Sequence, residues 1–354
     1  MLPLVNSPKK ICILRLSALG DVTHVIPVVR EIQNKWPDAE ITWVCGAFEH
    51  KLVQLIKEVR FIKFNKKKGI KEYIDLWQLL KEEKFDVLLH MQVAARSNIA
   101  SLAIKSDIKL GWDKFRSRDF HQLFISHSVP EVKQQHQVDG FLSFTQSLGI
   151  QVDKPVWNIP VTQDARNFSE KYIDNKKPVL IISPCSSHKL RNWFADRYAK
   201  LADYAINRYG MQVILSGGPG EIEVNMAKDI ISNMKNQPLN LVGKDTLEQL
   251  VGLLSKATVV VSPDSGPAHI ANAVGVPVIG LYACTWSKRS GPYHSLEYCV
   301  DKFELAAEKY LNKPANKLRW GTKIELPGVM DLIGVEEVCG RLDQIMTDIK
   351  KKKD

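Results

Sequence analysis

The apolar residues of this chain fall in short continuous blocks separated by longer amphipathic stretches. Blocks at residues 11–16, 41–45, 60–64, 85–90 and 107–111 are too short for helices and too continuous for half-exposed strands. They predict strands buried on both faces. Between them, residues 22–36, 70–82 and 96–104 carry apolar side chains at helical spacing. The second half repeats the alternation. PVLIISP (178–184), MQVILSG (211–217), LNLVG (239–243), TVVVSP (258–263) and PVIGLY (277–282) predict strands, with helices over 195–208, 221–234 and 247–254. Strands alternating with helices imply parallel sheets covered on both faces.

DKPVWNIPVTQDA (153–165) has two prolines and no regular period, and reads as a linker. The expected organisation is therefore α/β: two Rossmann-like, doubly wound domains, 1–160 and 161–330, facing across a cleft. A last helical pattern at 335–349 has no strand after it. The segment 331–354 is expected to pack back on the first domain.

Composition leaves this picture intact. The 354 residues are 45% apolar and 25% charged, enough for two cores. No uncharged apolar run is long enough to span a membrane, and MLPLVNSPKK lacks a signal peptide's apolar core. Cys12, Cys45, Cys185, Cys284, Cys299 and Cys339 form no CxxC pair, which predicts buried thiols in a reducing cytoplasm and no zinc site. The net charge of +10 changes more. It favours anionic partners, and KFNKKKGIK (63–71) is its densest patch. The final KKKD reads as a solvated tail.

In doubly wound sheets ligands bind beyond the carboxyl ends of the strands, and the distinctive motifs fall there. In ILRLSALGDVTHVIPVVREI (13–32), Gly20 permits close backbone approach and Asp21 lies at or near the helix N-cap. The turn is not GxGxxG, so a dinucleotide fingerprint is absent. SPCSSHKLRNW (183–193) concentrates donors suited to a diphosphate: Ser186, Ser187, Lys189 and Arg191. In LSGGPGEIE (215–223), Gly218 allows close approach, and Glu221 or Glu223 is placed to accept from ribose hydroxyls or to favour the helix N-terminus. In VSPDSGPAHIANAVGVP (261–277), Asp264, Ser265 and Gly266 form a turn before a helix whose N-terminus suits an anion, with His269 on that helix. GLYACTWSKRSGPY (280–293) offers Tyr282 and Trp286 for a base or sugar, or for ordinary packing. In the first domain Arg15, Arg96, Arg116, Arg118, Lys133 and His136 form either a cationic rim for an anionic acceptor or a set of unrelated solvated cations.

Four of these motifs, in this order and spacing, resemble the ADP-heptose:lipopolysaccharide heptosyltransferases, most nearly the heptosyltransferase I enzymes of Gram-negative bacteria. The resemblance runs from about residue 11 to 293. It implies a GT-B glycosyltransferase with acceptor on the first domain and nucleotide-sugar on the second. It implies inverting transfer of heptose from ADP-heptose to a Kdo residue of the lipid A–Kdo inner core. Asp21 matches the family's catalytic base. Ser186, Ser187 and Asp264 match donor-binding positions. The family's loop lysine falls on Arg191, with Lys189 two residues earlier, and its ribose-binding glutamate falls near Glu221 or Glu223. Arg15, Arg118 and His136 match acceptor contacts. No DxD-like motif stands in a suitable place, so no cofactor and no essential metal are expected. An anionic glycolipid acceptor further implies a cytoplasmic enzyme, peripheral on the inner membrane, with patch 63–71 helping it dock.

Rival readings are another GT-B enzyme with a different nucleotide-sugar, an NAD-dependent oxidoreductase, and a basic nucleic-acid-binding module. The second lacks GxGxxG, and the third lacks any aromatic-basic motif.

Overall fold

The computed structural model describes residue 2 and residues 6–352. What was read from MLPLV, Leu2 apart, and from the last two residues of the KKKD tail lies outside the described residues. The chain divides into two compact units, Met1–Pro160 and Val161–Asp354.

In the first unit the order is β1 (Lys10–Leu14), α1 (Leu19–Lys35), β2 (Glu40–Gly46), α2 (His50–Val53), β3 (Val59–Phe64), α3 (Ile70–Leu80), β4 (Lys84–His90), α4 (Ala95–Ser101), β5 (Lys105–Gly111), β6 (His127–Ser128) and α5 (Gln137–Ser147). The strands pair in the order β3-β2-β1-β4-β5-β6, all parallel. β1 lies in the middle, with Ile13 level with Trp43 on one side and Leu89 on the other. That position explains why Ile11, Cys12, Ile13 and Leu14 are wholly buried and why the sequence shows an unbroken apolar run. The order reverses between β1 and β4, so a crevice opens at their carboxyl ends. Helices α3 and α4 cover one face: Leu76, Leu80, Ala100, Ala103 and Ile104 pack over Cys12, Leu14 and Leu88.

The expected linker is pinned for part of its length. Trp157 donates from Nε1 to the carbonyl of Thr23 at 2.9 Å, and Arg30 on α1 donates to the carbonyls of Trp157 and Asn158 at 3.2 and 2.6 Å. Its last three residues are already helical.

The second unit runs α6 (Gln163–Tyr172), β7 (Val179–Ile182), α7 (Ala195–Tyr209), β8 (Gln212–Leu215), α8 (Glu221–Asn233), β9 (Leu239–Asn240), α9 (Leu247–Ser255), β10 (Val259–Pro263), α10 (Gly266–Ala273), β11 (Val278–Tyr282), α11 (Ser287–Ser290), β12 (Val300–Asp301), α12 (Phe303–Leu311) and α13 (Val335–Lys351). Its sheet is again all parallel, in the order β12-β11-β10-β7-β8-β9. Thr162 caps α6, accepting from the Ala165 N–H at 3.2 Å. Gly252 lets α9 lie close on α6, where a Cβ would collide with the Ala165 carbonyl oxygen.

The expectation for the last helix is corrected. Val338, Leu342 and Ile345 of α13 are buried in the second unit's own core with Tyr198, Ala202 and Val300, and α13 packs on α7. Tyr204 and Tyr209 of α7 each donate to Asp343. The apolar stripe read as a surface for the first domain is used within the second.

All six cysteines are free and five are buried. Burial pushes the Cys45 and Cys185 thiols up to about 12, which leaves them unreactive at neutral pH. Among the described residues no helix is long and apolar enough to cross a membrane.

Candidate active site

The first unit's candidates centre on the turn after β1. Helix α1 begins at Leu19 with Ala18 as N-cap, so Asp21 is the third helical residue and not the cap. Its Oδ2 reaches back and accepts from the Ala18 N–H at 3.2 Å. The same oxygen is ion-paired with Nη2 of Arg15. Oδ1 takes neither contact.

Arg15 is itself immobilised. Nη1 donates to the Met91 carbonyl at 2.7 Å, and the guanidinium carbon lies 5.2 Å from the Phe141 ring centre. Gln92, just past β4, holds the turn. Its Oε1 accepts from the Leu16 and Ser17 N–H groups at 2.7 and 3.3 Å, and its amide donates to Ser17 Oγ at 3.3 Å. Glu49 is a second carboxylate near this turn. Burial pushes its carboxyl up, and the nearby Asp21 charge adds to that, against the lowering effects of its own backbone, Lys66 and Arg15. Sequence reasoning missed Gln92 and Glu49, since each meets the turn only through strand pairing.

The other first-unit candidates separate. Arg96 is exposed in the first turn of α4, and Arg118 and Lys133 are exposed on loops. His136 is buried as the N-cap of α5, its Nδ1 accepting from the Val138 N–H at 3.1 Å. Arg116 is tied to Asp113, donates to the Pro130 carbonyl at 2.8 Å and lies 4.7 Å from the Trp112 ring centre. That arrangement is structural.

In the second unit the donor candidates leave three adjacent strands, β10, β7 and β8, at their carboxyl ends. After β7, Ser186 is buried and used locally. Its N–H donates to Asn192 Oδ1 at 2.7 Å, and its hydroxyl donates to the His188 carbonyl at 3.0 Å. Ser187 and Lys189 are exposed, whereas Arg191 is mostly buried. Arg191 donates from Nε to Glu325 Oε1 at 2.7 Å and lies 3.9 Å from Asp264.

Asp264 follows β10. His269 Nε2 lies 3.6 Å from it and Ser290 Oγ 3.4 Å. Burial alone would push its carboxyl up, but His269, Arg191 and Thr285 outweigh burial and hold it below its ordinary value. Ser265 is the N-cap of α10 and its hydroxyl meets Ser262 Oγ at 2.7 Å; Gly266 and Pro267 open the helix. The α10 N-terminus thus presents N–H groups beside a fixed ion cluster.

After β8, the side chain of Glu223 folds back over the glycine turn. A Cβ at Gly220 would lie 2.5 Å from Glu223 Oε2, and one at Gly218 3.5 Å from Oε1. Glu221 is exposed. Of the two glutamates, Glu223 is the one on the turn.

Tyr282 does not line a ligand pocket. It is wholly buried and donates to the Ser290 carbonyl at 3.0 Å. Trp286 stacks on Phe303 with centroids 5.2 Å apart. The segment 315–325 adds what sequence reasoning missed: Trp320 beside Trp286, Gly321 against Arg289, and Glu325 on Arg191. Among the described residues no three His, Cys, Asp or Glu side chains converge as metal ligands.

Two all-parallel six-stranded α/β units with these loops define a GT-B glycosyltransferase fold. A solved family 9 glycosyltransferase from Veillonella parvula superposes with TM-score 0.79 at 20% identity, covering 96% of this chain and 97% of that one. The Escherichia coli heptosyltransferase WaaC, solved with ADP, gives 0.68 at 21% identity over 80% and 90%. The model of glycosyltransferase family 9 (heptosyltransferase) matches residues 73–320. The lipopolysaccharide core heptosyltransferase OpsX of Haemophilus influenzae is 39% identical over 340 residues, 96% of this chain and 98% of that protein. The chain belongs to glycosyltransferase family 9, the heptosyltransferases.

Proposed function

We propose that this enzyme transfers a heptose from ADP-heptose to a Kdo residue of the lipopolysaccharide inner core, with inversion and with Asp21 as general base. The observation that carries this reading is the Asp21 carboxylate itself, one oxygen fixed by Arg15 and the Ala18 N–H and the other left for substrate. Support for the sugar and acceptor comes from relatives, one named as a core heptosyltransferase and one solved with ADP.

Asp21 Oδ1 takes the proton from the attacking acceptor hydroxyl as its oxygen bonds to the anomeric carbon. The bond from that carbon to the β-phosphate oxygen breaks, and ADP leaves with the electron pair. Arg191 and the N–H groups opening α10 meet the charge developing on ADP. Asp264 and Glu325 hold Arg191 in place. Glu223 accepts from the ribose hydroxyls. Arg96 and Arg118, exposed on the first unit, attract the anionic acceptor, while Arg15 and His136 serve as supports. We further propose that the enzyme works on the cytoplasmic face of the inner membrane as a peripheral protein, needs no metal ion and does not act on nucleic acid.

The test is transfer with defined Kdo acceptors and a panel of ADP-heptose, UDP-sugars and GDP-sugars, with and without a chelator, read by mass. The expected product is acceptor plus one heptose from ADP-heptose alone, unaffected by the chelator. Transfer from a UDP- or GDP-sugar in its place overturns the donor assignment.

A further inference from the structure

Helices α3 and α4 bury one side of each in the first unit's core and leave apolar side chains on the other. On α3, Ile70, Ile74 and Trp77 are exposed and spaced at one helical face, while Leu79 is exposed off that face. Ile70 is 80% exposed and Trp77 52%. On the outer side of α4, Ile99 and Leu102 are exposed three residues apart. The adjoining turn at 118–124 is fastened to α4, since Asp119 accepts from the Ala95 N–H at 2.9 Å and its carbonyl from Asn98 Nδ2 at 2.8 Å. That turn adds Phe120 and Leu123, 81% and 80% exposed. Single exposed apolar residues are ordinary, but seven on three neighbouring elements are not.

Cations outnumber acids around these residues, although Asp75, Glu82 and Asp119 stand among them. Lys63, Lys66, Lys67 and Lys71 are exposed beside the start of α3, and Arg96 and Arg118 in the first turn of α4 and the turn that follows β5. The acidic residues of α3 are already engaged: Lys68 pairs with both Glu72 and Asp75 at 3.2 and 3.3 Å.

We propose that this face inserts into an anionic phospholipid monolayer, with Ile70, Ile74, Trp77, Ile99, Leu102, Phe120 and Leu123 entering the headgroup–acyl boundary and the surrounding lysines and arginines meeting lipid phosphates. An apolar stripe with a tryptophan and a collar of cations suits that boundary. A protein partner would have to match seven separated side chains, whereas a lipid surface adapts to them. The proposal deepens the peripheral-membrane reading above and rests on it. It adds that the apolar side chains, and not the lysine patch alone, hold the enzyme there. It also gives Arg96 and Arg118 a place at the membrane edge, where a lipid-anchored acceptor presents its headgroup.

The test uses the full chain with the surface substitutions Ile70→Ser, Ile74→Ser and Trp77→Ser combined. Co-sedimentation is measured with vesicles of phosphatidylethanolamine and phosphatidylglycerol, and with phosphatidylcholine alone. Wild type is expected to bind the anionic vesicles, and the triple variant to bind at least about tenfold more weakly at unchanged melting temperature. Brominated acyl chains are expected to quench wild-type tryptophan fluorescence, with the quenching largely lost in Trp77→Phe. Heptosyl transfer to a water-soluble, deacylated acceptor is expected to stay at the wild-type rate in the triple variant, which keeps this test apart from the catalytic one. Equal vesicle binding by wild type and triple variant overturns the proposal. So does a wild-type dimer that the triple variant dissociates, which would make the face a contact between copies.

Discussion

Arg15 and Asp21 are ion-paired across the turn that joins β1 to α1, with Arg15 Nη2 against Asp21 Oδ2. Because the guanidinium also donates to the Met91 carbonyl, it fixes the carboxylate relative to β4 as well as β1. A lysine keeps the charge but cannot make both contacts with separate prongs. Arg15→Lys is therefore expected to lower kcat by about tenfold or more with donor KM unchanged, because the base loses its fixed orientation. Steady-state kinetics at saturating acceptor check this. An unchanged kcat would mean that the pair serves stability alone.

The two glutamates after β8 should behave differently. Glu223 lies over the glycine turn and Glu221 points into solvent. Glu223→Gln is expected to weaken ADP binding by about tenfold, since a hydrogen bond to a charged acceptor is worth about 1.5–3 kcal/mol. Glu221→Gln should change it less than about twofold. Calorimetric titration with ADP separates them, and the reverse order would move the ribose contact to Glu221.

Arg191 is flanked by Glu325 and Asp264 and is mostly buried. Arg191→Gln is expected to weaken ADP binding by about tenfold or more and to destabilise the protein by about 1–3 kcal/mol, because two part-buried carboxylates lose their counter-charge. Lys189, which is exposed, should tolerate substitution to Gln with about twofold effect or less. Loss of ADP binding in Lys189→Gln with retention in Arg191→Gln would reassign the diphosphate cation.

The strand–turn positions were legible because both sheets are parallel and doubly covered, so each buried strand is an apolar run ending where its motif begins. The resemblance to the heptosyltransferases was likewise legible, since its motifs sit on those ends. Contacts between distant residues were not. Glu325 meets Arg191 across 134 residues, and Gln92 meets Ser17 across 75. Neither glutamate nor glutamine carries a local signal of its partner. The start of α6 was hidden in a proline-containing stretch, and its buried face is only Ala165 and Ser169. The α13 stripe was visible, but its periodicity says that a surface is buried and not which one. Asp21 looked like an N-cap because a glycine turn precedes it. The helix starts earlier, at Leu19, and so the carboxylate points back over the turn.

A buried histidine pair in the first unit makes stability depend on pH. His121 donates from Nδ1 to Asn98 Oδ1 at 2.9 Å and accepts from the Trp112 N–H at 3.2 Å, so it is neutral, with His90 centred 4.5 Å away. Burial lowers the His121 pKa to about 4, and burial with the neighbouring His121 lowers that of His90 well below its ordinary value. The unfolded chain then binds more protons than the folded one between pH about 4 and 6.5, so stability is full above that window and falls as pH drops through it. His121 alone should contribute a loss of about 2 kcal/mol between pH 7.5 and 5. Urea unfolding across that range checks it. In His121→Gln the protein is expected to be less stable overall, with a shallower pH slope, and an identical slope would place the effect elsewhere.

The central claim is that Asp21 accepts the acceptor's proton, and the variant Asp21→Asn tests it most directly. The amide keeps the size of the side chain and an acceptor for the Ala18 N–H, and removes the basic oxygen. Transfer of heptose from ADP-heptose to a Kdo acceptor should fall by about 10²–10⁴-fold, with ADP affinity and melting temperature close to wild type. Turnover near the wild-type rate would contradict the account and leave Asp21 as a helix-stabilising residue only.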